Sequence, residues 1–171
     1  MMASVSIEFR GIEAALRRVE EFKTELKQKC ERLEARLAEE VASIARQGFN
    51  SAVIDDWATE GPRPAGVTVT ANTDGIGAVV AFGADAIWVE FGAGVFHNGS
   101  VGSSPHPRGA ELGMTIGGYG HGRGKQEMWA YKDESGYLRW THGTPTQMPM
   151  YRAAQEIATR FEPIVKEVFG S

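Results

Sequence analysis

The sequence predicts an α+β fold, in which a long N-terminal helix and a C-terminal helix pack on a small antiparallel sheet. Three observations lead to this prediction. Apolar residues keep a helical period over residues 12–47, two pairs of short segments flank turn residues, and apolar residues follow Pro149 at helical spacing. Because hairpins imply antiparallel pairing, the class is α+β rather than doubly wound α/β. The 171 residues suit one domain, predicted over 1–171.

The long helix is predicted over residues 12–47. Its apolar residues recur every three or four positions, with a mean step of about 3.6 residues, and no proline or glycine interrupts them before Gly48. About 36 residues make a rod of roughly 54 Å, whereas strands of five or six residues cover only roughly 20 Å. We therefore expect part of this rod to need another partner, although one sheet covering all of it is the alternative. The apolar stripe comprises Ile12, Leu16, Val19, Phe22, Leu26, Cys30, Leu33, Leu37, Val41 and Ile44.

Alternating polar and apolar residues predict the strands. Residues 4–10 alternate and are followed by Gly11, which indicates one half-buried strand. Residues 67–71 and 77–82 flank turn residues and predict a hairpin, and so do residues 128–131 and 137–140. The short apolar piece 87–91 fits either a strand or a single helical turn.

The C-terminal helix is predicted to begin at Pro149, a residue tolerated in the first turn. Pro163 is expected to kink or shorten it, because a proline ring clashes with the carbonyl four residues earlier. The predicted apolar face comprises Met150, Ala154, Ile157, Phe161 and Val165 or Val168.

A glycine-rich loop is predicted over residues 95–126, where no hydrophobic period survives. Its Gly124-Lys125 pair invites comparison with a phosphate-binding loop. A Walker loop ending there needs glycine at Tyr119 and Ser or Thr at Gln126, and a dinucleotide-binding pattern needs glycine at Arg123. We therefore interpret the segment as a loop without a cofactor.

Composition and motifs argue against catalysis and against a cofactor or metal. The net charge of -4 opposes nucleic acid as the general partner. No G-x-S-x-G motif is present, and the adjacent acids Asp55 and Asp56 fit a solvated turn. The lone Cys30 is interpreted as a buried small hydrophobe. The histidines fit solvated loop positions, with a metal-assisted hydrolase as a remote alternative: His97, His106, His121 and His142.

Two segments carry a resemblance to a known family. Residues 86–94 read Ala-Ile-Trp-Val-Glu-Phe-Gly-Ala-Gly, and residues 143–154 begin Gly-Thr and continue through Pro149 to Ala154. They resemble the V-E-F-G-T-G and G-T…P-F-x-x-P-A motifs of small tail-component proteins from tailed bacteriophages of the Hong Kong 97 type, in their prophage-encoded version. Ala93, Met150 and Ala153 stand where that family commonly has Thr, Phe and Pro.

The resemblance implies a structural virion protein of the head–tail junction or tail, such as a neck, tail-completion or head–tail joining component. Such a protein is made in the host bacterial cytoplasm, has no catalytic residues or cofactor, and assembles as a homo-oligomeric ring with other neck, portal-side or tail proteins. No membrane partner is expected, and any DNA contact in the channel would be independent of sequence. A nucleic-acid-associated protein near the packaged genome is the alternative. The expected assembly contacts are Trp88, Phe91, Arg108, Tyr119, Arg123 and Lys125.

Overall fold

The computed structural model of the chain describes residues 11–56, 61–72, 77–92, 104–109, 111–112, 129–133, 135–141 and 143–170. The elements confirm the α+β class. In chain order they are α1 (Ile12–Asn50), β1 (Val53–Asp56), β2 (Gly61–Pro64), β3 (Thr68–Asn72), β4 (Ala78–Phe82), α2 (Ala86–Phe91), β5 (Trp129–Lys132), β6 (Leu138–Thr141) and α3 (Pro149–Phe169). The strand predicted over residues 4–10 and most of the predicted loop 95–126 lie outside the described residues.

Helix α1 is 39 residues long and continues past its predicted end at residue 47. Gly48 does not end it, because Phe49 is only 1% exposed and holds the last turn in the core. Gly48 also allows a close approach to α3. A Cβ atom at this position would lie 2.8 Å from Pro149 Cβ, inside van der Waals contact.

The hydrophobic core surrounds the second half of α1. Small side chains on this half are fully buried, so the hairpins and α3 approach its backbone closely. Arg46 fixes one such approach, since its Nε donates to the Val69 carbonyl oxygen at 3.0 Å. The buried cluster comprises Ala42, Ala45, Phe49, Ala52, Ile54, Val69, Val89 and Ala153.

Helix α3 runs antiparallel to α1. Pro149, its first residue, lies against Gly48, and Arg160 Nη1 lies 3.6 Å from Glu40 Oε2. Pro163 does not shorten the helix, which continues to Phe169. The predicted apolar face is partly wrong. Ala153 and Ile164 are buried, whereas Ala154 and Phe161 are exposed, because α3 turns a slightly different side toward α1.

The described strands form three antiparallel two-stranded sheets rather than the one sheet predicted. Both predicted hairpins are confirmed: β3 pairs with β4, and β5 pairs with β6. The β1–β2 pair was not predicted. Asp55 and Asp56 lie in β1 opposite Pro62 and Gly61, so the interpretation of these acids as a turn is wrong. Residues 87–91 form helix α2, the single-turn alternative.

The first half of α1 lies outside the core. Its large apolar side chains are 41–65% exposed and form what we call the uncovered stripe: Ile12, Leu16, Val19, Phe22 and Leu26. Cys30 is also exposed, so the prediction of a buried cysteine is wrong. The length mismatch between α1 and the short strands predicts this exposure. Among the described residues, no helix is both long and apolar enough to cross a bilayer.

Candidate functional site

A buried carboxylate joins the two motif segments. Glu90 lies in α2, within an otherwise apolar stretch, and is 7% exposed. Its Oε2 accepts a hydrogen bond from the Met150 amide at 2.8 Å, and its Oε1 accepts one from the Tyr151 amide at 2.9 Å. These amides belong to the first turn of α3, where backbone donors have no partner within the helix. Glu90 therefore caps α3 from 60 residues away.

The start of α3 explains why a remote cap is needed. Met148 occupies the N-cap position and provides no side-chain hydrogen bond, unlike the Ser, Thr, Asp or Asn that usually stand there. Among the described residues, Met148 is the one non-glycine residue with a positive φ, at 56°. The negative charge of Glu90 also interacts favourably with the positive end of the helix dipole.

His106 completes the cluster and is buried, contrary to the prediction of a solvated histidine. Its Nδ1 accepts a hydrogen bond from the Arg108 amide at 3.1 Å. Because Nδ1 accepts, Nε2 carries the proton and donates to Glu90 Oε1 at 3.1 Å. The ring lies between Phe91 and Tyr151, at centroid distances of 4.3 Å and 5.2 Å. We call Glu90, His106 and the amides of Met150 and Tyr151 the Glu90 cluster.

Backbone contacts beside the Glu90 cluster bring the two motif segments into register. The Gln147 amide donates to the Val89 carbonyl at 2.9 Å. The Phe91 carbonyl accepts from Thr146 Oγ1 at 2.9 Å and from Ser104 Oγ at 2.6 Å. The described residues of the two motif segments, 86–92 and 143–154, therefore pack against each other.

Gly92 makes this close packing possible. Its φ of 81° and ψ of 161° belong to a region that only glycine adopts easily. A Cβ atom here would clash with Thr146 Oγ1 and would lie 3.2 Å from the Thr144 carbonyl oxygen. The glycine of the Glu-Phe-Gly motif therefore serves both backbone conformation and contact.

The geometry of the Glu90 cluster favours a structural role. Both Glu90 oxygens accept hydrogen bonds, and both His106 ring nitrogens are engaged. Glu90 is 7% exposed and His106 is 6% exposed, so little of either side chain faces solvent. Within the described ranges, no group of three or more His, Cys, Asp or Glu side chains could hold a metal ion. His97, His121 and His142 lie outside those ranges.

An ion pair between the buried Asp85 and Arg63, whose side chain is 42% exposed, holds α2 from its other end. Asp85 precedes α2 and is 6% exposed. Its carboxylate accepts from Arg63 Nη1 at 2.6 Å, from Arg63 Nη2 at 3.0 Å and from the Gly66 amide at 2.8 Å. Burial alone raises the pKa of Asp85, but the Arg63 guanidinium and the Gly66 amide outweigh it and hold the pKa below its ordinary value.

This pair predicts a pH-dependent contribution to stability. A lowered folded-state pKa stabilises the fold above the unfolded pKa of about 3.9, and the stabilisation is lost as pH falls through the folded-state value. We expect Asp85→Asn to lower the free energy of unfolding by about 2 kcal/mol at pH 7. Urea unfolding at pH 7 and pH 3 should show this difference shrinking at pH 3. Glu111→Gln, which disrupts an exposed arginine pair, is the control, and an unchanged Asp85→Asn difference at pH 3 would contradict the assignment.

The structure describes three of the six predicted assembly contacts. Trp88 and Phe91 are half-buried in α2, and Phe91 contacts His106. Arg108 is exposed and pairs with Glu111 at 3.0 Å. Tyr119, Arg123 and Lys125 lie outside the described residues. Of the three described residues, Phe91 contacts the Glu90 cluster through its ring, and Arg108 contacts it through its backbone amide, which donates to His106 Nδ1.

Glu90 was not predicted as a site residue, although a signal was present. An acid stands in the apolar run of residues 86–91, and α3 begins at Pro149 without a local capping residue. An acid without a polar partner nearby in the sequence and a helix start without a local cap are complementary, since each supplies the hydrogen-bonding group that the other lacks.

Comparisons with known protein families, curated proteins and solved structures found no match for this chain.

Proposed function

We propose that this chain is a structural virion protein of a bacteriophage tail or head–tail junction, and that it assembles through the uncovered stripe of α1. The observation that carries the proposal is the exposure of five large apolar side chains on one face of the first half of α1. The remainder of the same helix is packed in the core.

Apolar surface that stays in contact with water costs free energy, which is recovered when a partner covers it. Five large side chains at roughly half exposure present about 400–500 Å² of contiguous surface, the size of the largest apolar patch on a typical monomer, which is often functional. The stripe lies on a regular helix rather than on an irregular loop. Little chain entropy is therefore lost when it docks, which favours association.

The assignment to a phage particle rests on the two motifs. Both belong to a resemblance that spans nearly the whole chain, and their contacts through Glu90, Phe91 and Gly92 give them one shared structural purpose. They hold α2 and α3 beside the buried half of α1. The first half of α1 then projects beyond the core, as an assembly subunit requires.

The stripe can be tested by placing charges on it. We expect Leu16→Glu combined with Phe22→Glu to abolish incorporation into particles, because burying an uncompensated carboxylate weakens an interface by tens-fold or more. The matched control is Thr24→Glu combined with Gln28→Glu, which adds the same charge to the opposite face of α1. The variants would be supplied to a phage lacking this gene, and tailed particles would be counted by electron microscopy.

Circular dichroism and urea unfolding of the purified chains separate docking from folding. All variants should remain folded, since the substituted positions are exposed. Normal particles from the Leu16→Glu, Phe22→Glu chain would refute docking through the stripe. Normal particles without this chain at all would refute the structural role.

A further inference from the structure

We infer that residues 4–10 of the same chain fold back along α1 and cover the uncovered stripe until a docking partner displaces them. Residues 4–10 are called the strap below. The reach, the spacing and the attachment of the strap each favour it as the occupant. Its role in assembly rests on the proposed function.

The strap is too short to pair with a described strand of its own chain. The seven residues from Gly11 back to Ser4 span at most about 25 Å. The hairpin of β3 and β4 packs on α1, and a Cβ atom at Gly77 would lie 3.3 Å from the Glu34 carbonyl oxygen. Glu34 lies about 35 Å from Gly11 along the helix axis, at 1.5 Å per residue. The other described strands lie further away, since β1 follows the C-terminal end of α1 and β6 contacts β1.

Helix α3 leaves the stripe open to the strap. Pro149 lies at Gly48, and α3 runs antiparallel to α1. Because both helices rise about 1.5 Å per residue, α3 ends opposite about residue 30 of α1. The stripe is therefore the first large apolar surface beside the start of α1.

Gly11 allows the chain to turn back at this point. Its φ is 93°, in the left-handed region that glycine adopts without steric cost, and a Cβ atom there would meet nothing within 4 Å. The chain therefore leaves the helical path at Gly11, directly before Ile12, the first residue of the stripe.

The strap and the stripe have the same length. Extended at about 3.3 Å per residue, the strap spans about 20 Å. The stripe spans about 21 Å from Ile12 to Leu26 at 1.5 Å per residue. A strap that folds back from Gly11 therefore ends where the stripe ends.

The apolar residues of the strap also match the stripe in spacing. Alternate residues of a strand share one face and lie about 6.6 Å apart, which places three apolar side chains of the strap on one side. Measured from Gly11, each comes level with the stripe: Phe9 with Leu16, Ile7 with Val19, and Val5 with the space between Phe22 and Leu26. The polar side chains then face solvent: Ser4, Ser6, Glu8 and Arg10.

Attachment favours the strap over a partner in solution. A segment tethered by a short connection has an effective concentration in the millimolar range, and only Gly11 separates the strap from α1. The strap nevertheless offers three apolar side chains against five on the stripe. A partner that covers the whole stripe therefore displaces it, and the strap prevents weaker association before that encounter.

Thiol labelling of a cysteine placed under the strap tests the contact. In the Cys30→Ser chain, Val19→Cys supplies the one thiol, level with Ile7. Adding Ile7→Asp and Phe9→Asp removes the apolar face of the strap. We expect the labelling rate to rise at least about fivefold, because a thiol reacts only while it is accessible.

A matched control places the same charges on the other face of the strap. Ser4→Asp combined with Ser6→Asp should leave the labelling rate of the Val19→Cys thiol unchanged. Circular dichroism and urea unfolding should show that all of these chains remain folded, since Val19 lies on the exposed half of α1. Equal labelling rates in all three chains would overturn the inference.

Disulfide trapping tests the direction of the strap. In the Cys30→Ser chain, Ile7→Cys combined with Val19→Cys should form a disulfide within one chain under mild oxidation. Ile7→Cys combined with Glu21→Cys is the control, because Glu21 lies about 200° around the helix from Val19 and should cross-link little. Peptide mass spectrometry of the monomer band identifies the joined positions.

The remaining outcomes separate the strap from the proposed function. Equal cross-linking at positions 19 and 21, or disulfides mainly between two chains, would overturn the strap. If the Leu16→Glu, Phe22→Glu chain still fails to enter particles in that case, the proposed function stands without it. If the strap is trapped but that chain enters particles normally, the strap stands and docking through the stripe does not.

Discussion

Replacing Glu90 with alanine is expected to lower the free energy of unfolding by about 3–5 kcal/mol, because three buried donors lose their acceptor at about 1–3 kcal/mol each. The substitution removes the acceptor for the Met150 and Tyr151 amides and for His106 Nε2. Three donors would then remain buried without partners, and α3 would begin without any cap. Urea unfolding of the purified chain, followed by circular dichroism, measures the change.

Two further variants show whether capping is responsible. Glu90→Gln keeps one carbonyl acceptor but turns an amide donor toward other donors, so its loss should be intermediate. Glu162→Ala removes an exposed acid from the same α3 helix, where it contacts only Lys166, and its effect should be small. A Glu90→Ala chain as stable as Glu162→Ala would show that the cap contributes nothing.

The second large effect is expected for Gly92→Ala, at about 3 kcal/mol or more, because backbone strain and overpacking add at one position. The added Cβ meets the Thr146 side chain and the Thr144 carbonyl while φ stays at 81°. The segments containing Glu90 and Pro149 would have to separate to admit it. The melting temperature or the urea midpoint of unfolding measures the loss of stability.

Gly136 provides a matched control for Gly92. Its φ is 82°, almost the same, but a Cβ atom there meets nothing within 4 Å. Gly136→Ala should therefore show only the conformational cost of about 1–2 kcal/mol. Equal losses at Gly92 and Gly136 would mean that the contact with Thr146 has no energetic role.

The elements held by local patterns could be predicted from the sequence. The 3.6-residue period of α1 and the turn residues between β3 and β4 and between β5 and β6 are each visible within a short window. The β1–β2 pair could not be predicted, because its strands lack an alternating apolar pattern and carry instead Asp55, Asp56, Pro62 and Pro64. The end of α1 was misplaced because Phe49, buried in the core, holds the last turn of the helix beyond Gly48.

The Glu90 cluster could not be predicted, because its energetics depend on contacts that no sequence window contains. Glu90 and the Tyr151 amide are 61 positions apart, and His106 reaches Glu90 across 16. The burial of Cys30 was wrong for a related reason. The helical period identifies which residues share a face, but it does not show what packs against that face. Helix α3 ends too early to cover residues 12–30.

The hydrogen bonds between residues 89–91 and 146–151 hold α2 and α3 together directly, independently of the length of the chain that connects these residues. They close one large loop, and widening such a closed loop is entropically cheap: each doubling of its length costs only about 0.6 kcal/mol. Changes of length between Leu112 and Trp129 are therefore expected to leave α1, α2 and α3 in place, because Ser104 and His106, which contact Phe91 and Glu90, lie before that range. The size and chemistry of that part of the chain can vary while the rod of α1 and the core stay the same.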